Sequence, residues 1–157
     1  MKSKSLVRKS LMIVLLLAMA ATVSAQSSEF MAVLLQQDSL TVGQAAYLVL
    51  VASENLGDDA DEQRSFDLLE SLGWAPRNKQ ADSMVTMSEY AYMLMKAFNL
   101  KGGLFYSLFP SPRYAYRELR YKMIMQGPGD PAMAVDGSMA IRYLGRVFDL
   151  QGVSYEL

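Results

Sequence analysis

The 157-residue chain contains no histidine and no cysteine. Those two absences exclude Ser–His and Cys–His nucleophilic machinery, and they remove the imidazole and thiolate ligands of the commonest zinc sites. Without cysteine there is no disulfide to brace the fold and no thiol to carry a lipid anchor, so the fold has to be stabilised by burial alone. Long apolar runs are scarce too. The run LMIVLLLAMAATV near the start is shorter than the roughly 20 residues a spanning helix needs, and no second such run follows.

What is present is the composition of a folded protein: 52% hydrophobic and 20% charged residues, at a length suited to one domain. Lys2, Lys4, Arg8 and Lys9, the apolar run and the small residues Val23-Ser24-Ala25 together have the three-part pattern of a secretory leader. Cleavage after Ala25 is the expectation, which makes the product exported and periplasmic or cell-envelope associated, with no membrane span after processing. Removing the leader takes four basic residues from 15 Lys+Arg and none from 16 Asp+Glu, which leaves 11 against 16 and a net charge of −5. That balance argues against nucleic acid as a partner. Residues 1–25 are thus assigned to the leader, 26–39 to an N-terminal arm and 40–157 to a helical domain.

Three stretches of that domain look like copies of one unit: LTVGQAAYLVLVASENLG from Leu40, VTMSEYAYMLMKAFNLKG from Val85 and AVDGSMAIRYLGRVFDLQG from Ala134. Aligning Thr41, Thr86 and Val135 brings Ala46, Ala91 and Ala140 into one column and Leu50, Met95 and Leu144 into another, with starts 45 and 49 residues apart. Spacings of this size are typical of helical repeats. In the second copy Thr86 and Glu89 form a capping box, and Tyr90, Ala91, Leu94, Met95 and Phe98 follow at the steps of one helix face. Gly102 and Gly103 are the expected stop. Tyr92 and Met93 widen the apolar face, which predicts a helix covered on more than one side. Between the copies, DADEQRSFDLLESLGW and SPRYAYRELRYKMIMQG read as second helices that stop at Gly73 and Gly127, while LFYSLF is left open to an extended conformation. The expected fold is all-α, built from three degenerate helix-loop-helix repeats.

LLESLGW followed by VTMSEYAYMLMKAFNL, and YRELRYKMIMQGPGDPAMAVDGSMAIRYLGRVFDL, resemble the S-layer homology (SLH) module over roughly residues 40 to 152. The resemblance implies a compact pseudo-threefold helical bundle that binds cell-wall glycopolymer. The chain departs from the family at the phrase Thr-Arg-Ala-Glu that opens its helices. Here the three openings are Thr41-Val42-Gly43-Gln44, Thr86-Met87-Ser88-Glu89 and Val135-Asp136-Gly137-Ser138, and the arginine suited to bidentate recognition of acidic groups is missing from all of them. The resemblance therefore implies the fold more directly than the ligand chemistry.

No cofactor or metal is expected. The acids Asp58, Asp59, Asp61 and Glu62 lack the spacing of a calcium loop and read as a solvated loop ahead of a helix start. The most distinctive chemistry is LFYSLFPSPRYAYRELRYK, where aromatic residues alternate with cations and Arg113, Arg117 and Arg120 share one helical face. Thr86, Glu89, Arg113, Tyr114 and Arg117 are the candidate ligand-binding residues. Twelve methionines offer either core filling or an adaptable binding surface. These features predict a non-catalytic envelope module that binds wall glycopolymer or peptidoglycan, or serves as a structural subunit. The rival is a periplasmic adaptor that meets another envelope protein through Met- and Tyr-rich faces, and the third reading is a small glycan hydrolase.

Overall fold

The computed structural model describes residues 30–127 and 129–152. The leader, its cleavage site and residues 26–29 of the arm lie outside the described residues. The chain divides between Leu34 and Leu35 into two units. Of the first, residues 30–34 are described and are helical; the rest of this section concerns the second. In chain order the elements are α1 (residues 30–35), α2 (Val42–Ala52), α3 (Glu62–Ser71), α4 (Met87–Ala97), α5 (Leu104–Leu108), α6 (Pro112–Tyr121) and α7 (Gly137–Gln151). The fold is all-α, as the residue pattern predicts, and LFYSLF, left open above, is helical. Two helix pairs, α2 on α3 and α4 on α6, dominate the packing, with further contacts of α4 on α2 and α7. Among the described residues no helix follows α7, and none is long and apolar enough to cross a membrane.

Three helix starts share one solution to the problem that the first amides of a helix have no partner within it. Thr41 and Gln44 form a reciprocal capping box, Thr86 and Glu89 form another, and Asp136 accepts from the Met139 amide at 2.6 Å. Sequence alignment set Val135 beside the two threonines, and the structure moves that start by one residue. Valine has no acceptor with which to cap, whereas aspartate does. Five further first-turn amides are taken up by loops leading to a neighbouring start: Val42 and Gly43 donate to the Ser83 and Ala81 carbonyls, Met87 and Ser88 to Met133 and Pro131, and Gly137 to Gln37.

Just ahead of the caps the chain closes a cycle. Leu40 donates to the Val135 carbonyl at 2.8 Å, Val135 to Val85 at 3.2 Å, and Val85 to Leu40 at 3.0 Å. Antiparallel bridges at Thr41–Met84 and Thr86–Ala134 flank it. All three ring residues are fully buried, so each of these bonds satisfies a polar group that water does not reach. The helix starts thus converge on a packed backbone ring.

Helix ends follow a second rule. Glu54, Gly73, Asn99 and Met123 adopt left-handed φ of 58°, 70°, 48° and 61°. In each case the next amide reaches back five residues, Asn55 to Leu50, Trp74 to Leu69, Leu100 to Met95 and Ile124 to Leu119. This is the Schellman closure, and glycine occupies its left-handed position only at Gly73. Stops expected at Gly102–Gly103 and Gly127 therefore come earlier, at Asn99 and Met123, and α2 closes likewise at Glu54. Gly102 is needed for another reason: a Cβ there would lie 2.6 Å from the Tyr106 ring. Because Met123 is exposed and a left-handed L-residue costs about 1–2 kcal/mol, Met123→Gly should stabilise the fold. Allowing for the greater freedom of glycine in the unfolded chain, the net gain is about 0.5–1 kcal/mol, read as a rise of a few degrees in the thermal melting temperature.

α4 is the central helix. Met87, Tyr90, Ala91, Met93, Leu94 and Met95 are all buried, so it is covered on more than one side as its pattern predicts. Phe66 and Leu69 of α3 face the core, but Leu72, which shares their spacing, is the C-cap and is exposed. Met87, Met93, Met95 and Met125 fill the interior, whereas Met84 and Met123 stand in solvent.

Candidate functional site

The Schellman turn after α3 delivers Trp74 to the lining of a cleft of about 540 Å³. Its lining combines Trp74 and Arg77 from the turn, Glu89 and Tyr92 from α4, and Pro110 and Pro112 at the entry to α6. The volume lies within the range of sites that enclose small ligands, roughly 300–1,000 Å³. Glu89 is positioned by its capping duty: Oε2 accepts from the Thr86 amide at 2.8 Å and from Lys79 Nζ at 2.7 Å. Lys79 is itself fixed by donating to the Met84 carbonyl at 2.7 Å. The Glu89 carboxylate thus enters the cleft with a fixed orientation and with part of its charge offset. Lys96 lies over the Tyr92 ring, 5.4 Å from its centroid. Tyr106 is buried near Tyr92, and burial first, then that neighbouring phenol, pushes its pKa up to about 12. It stays neutral at physiological pH and acts as packing.

A second depression, of about 310 Å³, runs between α5 and α6 and is lined by Phe105, Tyr114, Arg117, Glu118 and Tyr121. Phe105 stacks on Tyr114 at 5.9 Å with 14° between the rings, and the Arg117 guanidinium lies 5.9 Å from the Tyr114 centroid. Arg120 turns away from this stack, donating to the Tyr116 hydroxyl and to the Gly127 carbonyl at 3.0 Å. The alternation of rings and cations read from the sequence is therefore split: Tyr106 and Tyr116 are core, while Phe105, Phe109 and Tyr121 are exposed.

The five candidate residues do not share one site. Thr86 uses its hydroxyl for the cap, accepting from the Glu89 amide at 3.4 Å. Glu89 lines the Trp74 cleft, Tyr114 and Arg117 line the α5–α6 depression, and Arg113 is exposed at the start of α6 in the lining of neither. Sequence reasoning missed Trp74, Arg77 and Tyr92. Trp74 carried a usable signal, being the single tryptophan of the chain and lying directly after a glycine helix stop. Arg77 carried none, because its place in the same cleft as Glu89 depends on how the 73–80 segment lies against α4. Asp61, one of the acids considered for calcium, is the N-cap of α3 and accepts from the Arg64 amide at 2.7 Å.

Comparison with protein families, with curated proteins and with solved structures finds no match for this chain.

Proposed function

We propose that the chain is an exported, non-catalytic envelope module, related in plan to SLH modules, that binds wall glycopolymer or peptidoglycan in the Trp74 cleft. The observation that carries this reading is the lining of that cleft. Two aromatic side chains, Trp74 and Tyr92, share it with a carboxylate held in place at Glu89 and the exposed guanidinium of Arg77. Sugar rings present apolar C–H faces to aromatic surfaces and hydroxyls to charged acceptors and donors. Arg77 supplies from a loop the fork that the three helix openings lack, and it suits a carboxylate or phosphate on an acidic polymer. The closed ring of Leu40, Val85 and Val135, with its matched caps at Thr41, Thr86 and Asp136, supports reading the three segments as copies of one unit.

Trp74 also makes the test direct, since its emission reports on the cleft without a label. Titration with soluble peptidoglycan fragments should change that emission, and the protein should sediment with insoluble sacculi or wall polymer. Trp74→Ala and Arg77→Ala should each lower retention by about tenfold or more, the scale at which anchor residues act, with little change in melting temperature. Retention that survives both substitutions would end this reading. Shortening of the polymer during incubation would replace binding with hydrolysis.

A further inference from the structure

Around α5, four large apolar side chains stand in solvent: Leu104, Phe105, Leu108 and Phe109 are 58–71% exposed. Clustering of this kind on one short element marks an interaction surface, because single exposed apolar residues are ordinary and groups of them are not. The stack of Phe105 on Tyr114, with Arg117 over the same ring, brings the exposed end of α5 against a cation of α6. The charge around them is segregated. Residues 101–122 hold five of the 11 Lys+Arg found beyond residue 25, namely Lys101, Arg113, Arg117, Arg120 and Lys122, but only Glu118 of the 16 Asp+Glu. A protein that is acidic after its leader therefore has one segment in which exposed apolar side chains and cations are concentrated.

We propose that this face docks on the surface of an anionic phospholipid bilayer. Leu104, Phe105, Leu108 and Phe109 enter the headgroup and upper acyl region while Lys101, Arg113, Arg117 and Lys122 meet lipid phosphates. Interfacial binding of this kind depends on buried apolar area together with electrostatic attraction to anionic lipid, and requires no spanning helix. Other occupants fit less well. A second copy would bring two faces of the same sign together, and sugars that stack on the rings leave Leu104 and Leu108 uncovered. The Trp74 cleft opens beside this face, with Phe109 on one and Pro110 on the other. A module seated here holds its polymer site close to the membrane.

The test has to read the face itself, since the apolar run of the full chain would hold it to vesicles unaided. A full-length Trp74→Phe/Phe109→Trp variant carries its only tryptophan in the patch. With phosphatidylglycerol vesicles containing brominated lipid, emission at position 109 should shift to the blue and be quenched. Phosphatidylcholine vesicles should give little of either, and raising the salt to about 0.5 M, where the Debye length is about 4 Å, should weaken the effect. Adding Arg113→Glu and Arg117→Glu should raise the amount of anionic lipid needed to quench position 109 by at least about tenfold, given about fivefold per basic residue. The same pair of substitutions in the Trp74 chain should leave sedimentation with peptidoglycan intact, which separates failure here from failure of the cleft. A position 109 that stays in water at saturating anionic lipid overturns the proposal. So does equal quenching by neutral and anionic vesicles, or concentration-dependent burial of position 109 without lipid, which would make the occupant a second copy.

Discussion

Val85→Pro should cost the 35–152 unit about 3–5 kcal/mol, enough to unfold much of the population in a domain whose total stability is roughly 5–15 kcal/mol. Proline removes the amide that donates to the Leu40 carbonyl at 3.0 Å. The loss has two parts, a missing bond of about 1 kcal/mol and a buried carbonyl left without that partner, at about 1–3 kcal/mol. Proline also restricts Met84 before it, just where Met84 bridges to Thr41. Val85→Ala is the control, because it keeps the ring and removes only two buried methyl groups, at about 2 kcal/mol. Urea denaturation of both variants isolates the backbone contribution as their difference. A second proline at Val135 should add less than it costs alone, since a ring already opened has less to lose, and a double-mutant cycle measures that coupling. If Val85→Pro and Val85→Ala are equally stable, the ring contributes nothing.

The residues that build helices were more legible than those that join them. Thr86 with Glu89 and the α4 stripe could be read directly, because a cap or a helix face is decided by residues three or four apart. Gln44 closes with Thr41 the same box that Glu89 closes with Thr86, at 3.1 Å and 3.2 Å, because the glutamine amide oxygen also accepts from the cap amide. Glycine alone misplaces the helix stops. Three of the four Schellman turns place Glu54, Asn99 or Met123 in the left-handed position, and in two of those the apolar residue that follows, Leu100 or Ile124, is the better marker. The ring could not be read at all. It consists of backbone bonds between residues distant in sequence, and Leu40, Val85 and Val135 share only burial. The candidate residues lie apart for a related reason. The aromatic residues of 105–121 alternate with cations in sequence, but which rings are core depends on α5 folding across α6, and that puts Tyr106 inside and Phe105 outside.

Tyr90→Phe should destabilise the fold at neutral pH and stabilise it in strong alkali, a reversal that locates one buried phenol. Tyr90 is fully buried on α4, and its hydroxyl donates to the Ala140 carbonyl of α7 at 3.0 Å. Removing one neutral hydrogen bond costs about 1 kcal/mol at pH 7. Burial pushes the Tyr90 pKa far above its ordinary value, since the phenolate would have to leave water for an apolar interior. A folded pKa raised above the unfolded one means stability that is whole below about pH 10 and is lost as pH climbs towards the folded value, because the unfolded chain ionises first. The slope is about 1.4 kcal/mol per pH unit for each such tyrosine. The Phe variant lacks this slope at position 90. Its deficit should therefore vanish near pH 11 and become an advantage of about 1–2 kcal/mol at pH 12, where an unfolded tyrosine has gained about 2.7 kcal/mol by ionising. Tyr47, Tyr106 and Tyr143 are also raised, burial being the first cause in each, so both proteins weaken in alkali and only the difference between them reports Tyr90. Denaturant midpoints at pH 7, 10 and 12 give that difference. A deficit that stays constant across the range would mean that Tyr90 ionises as readily in the folded protein as in the unfolded chain, and that water reaches the contact between α4 and α7.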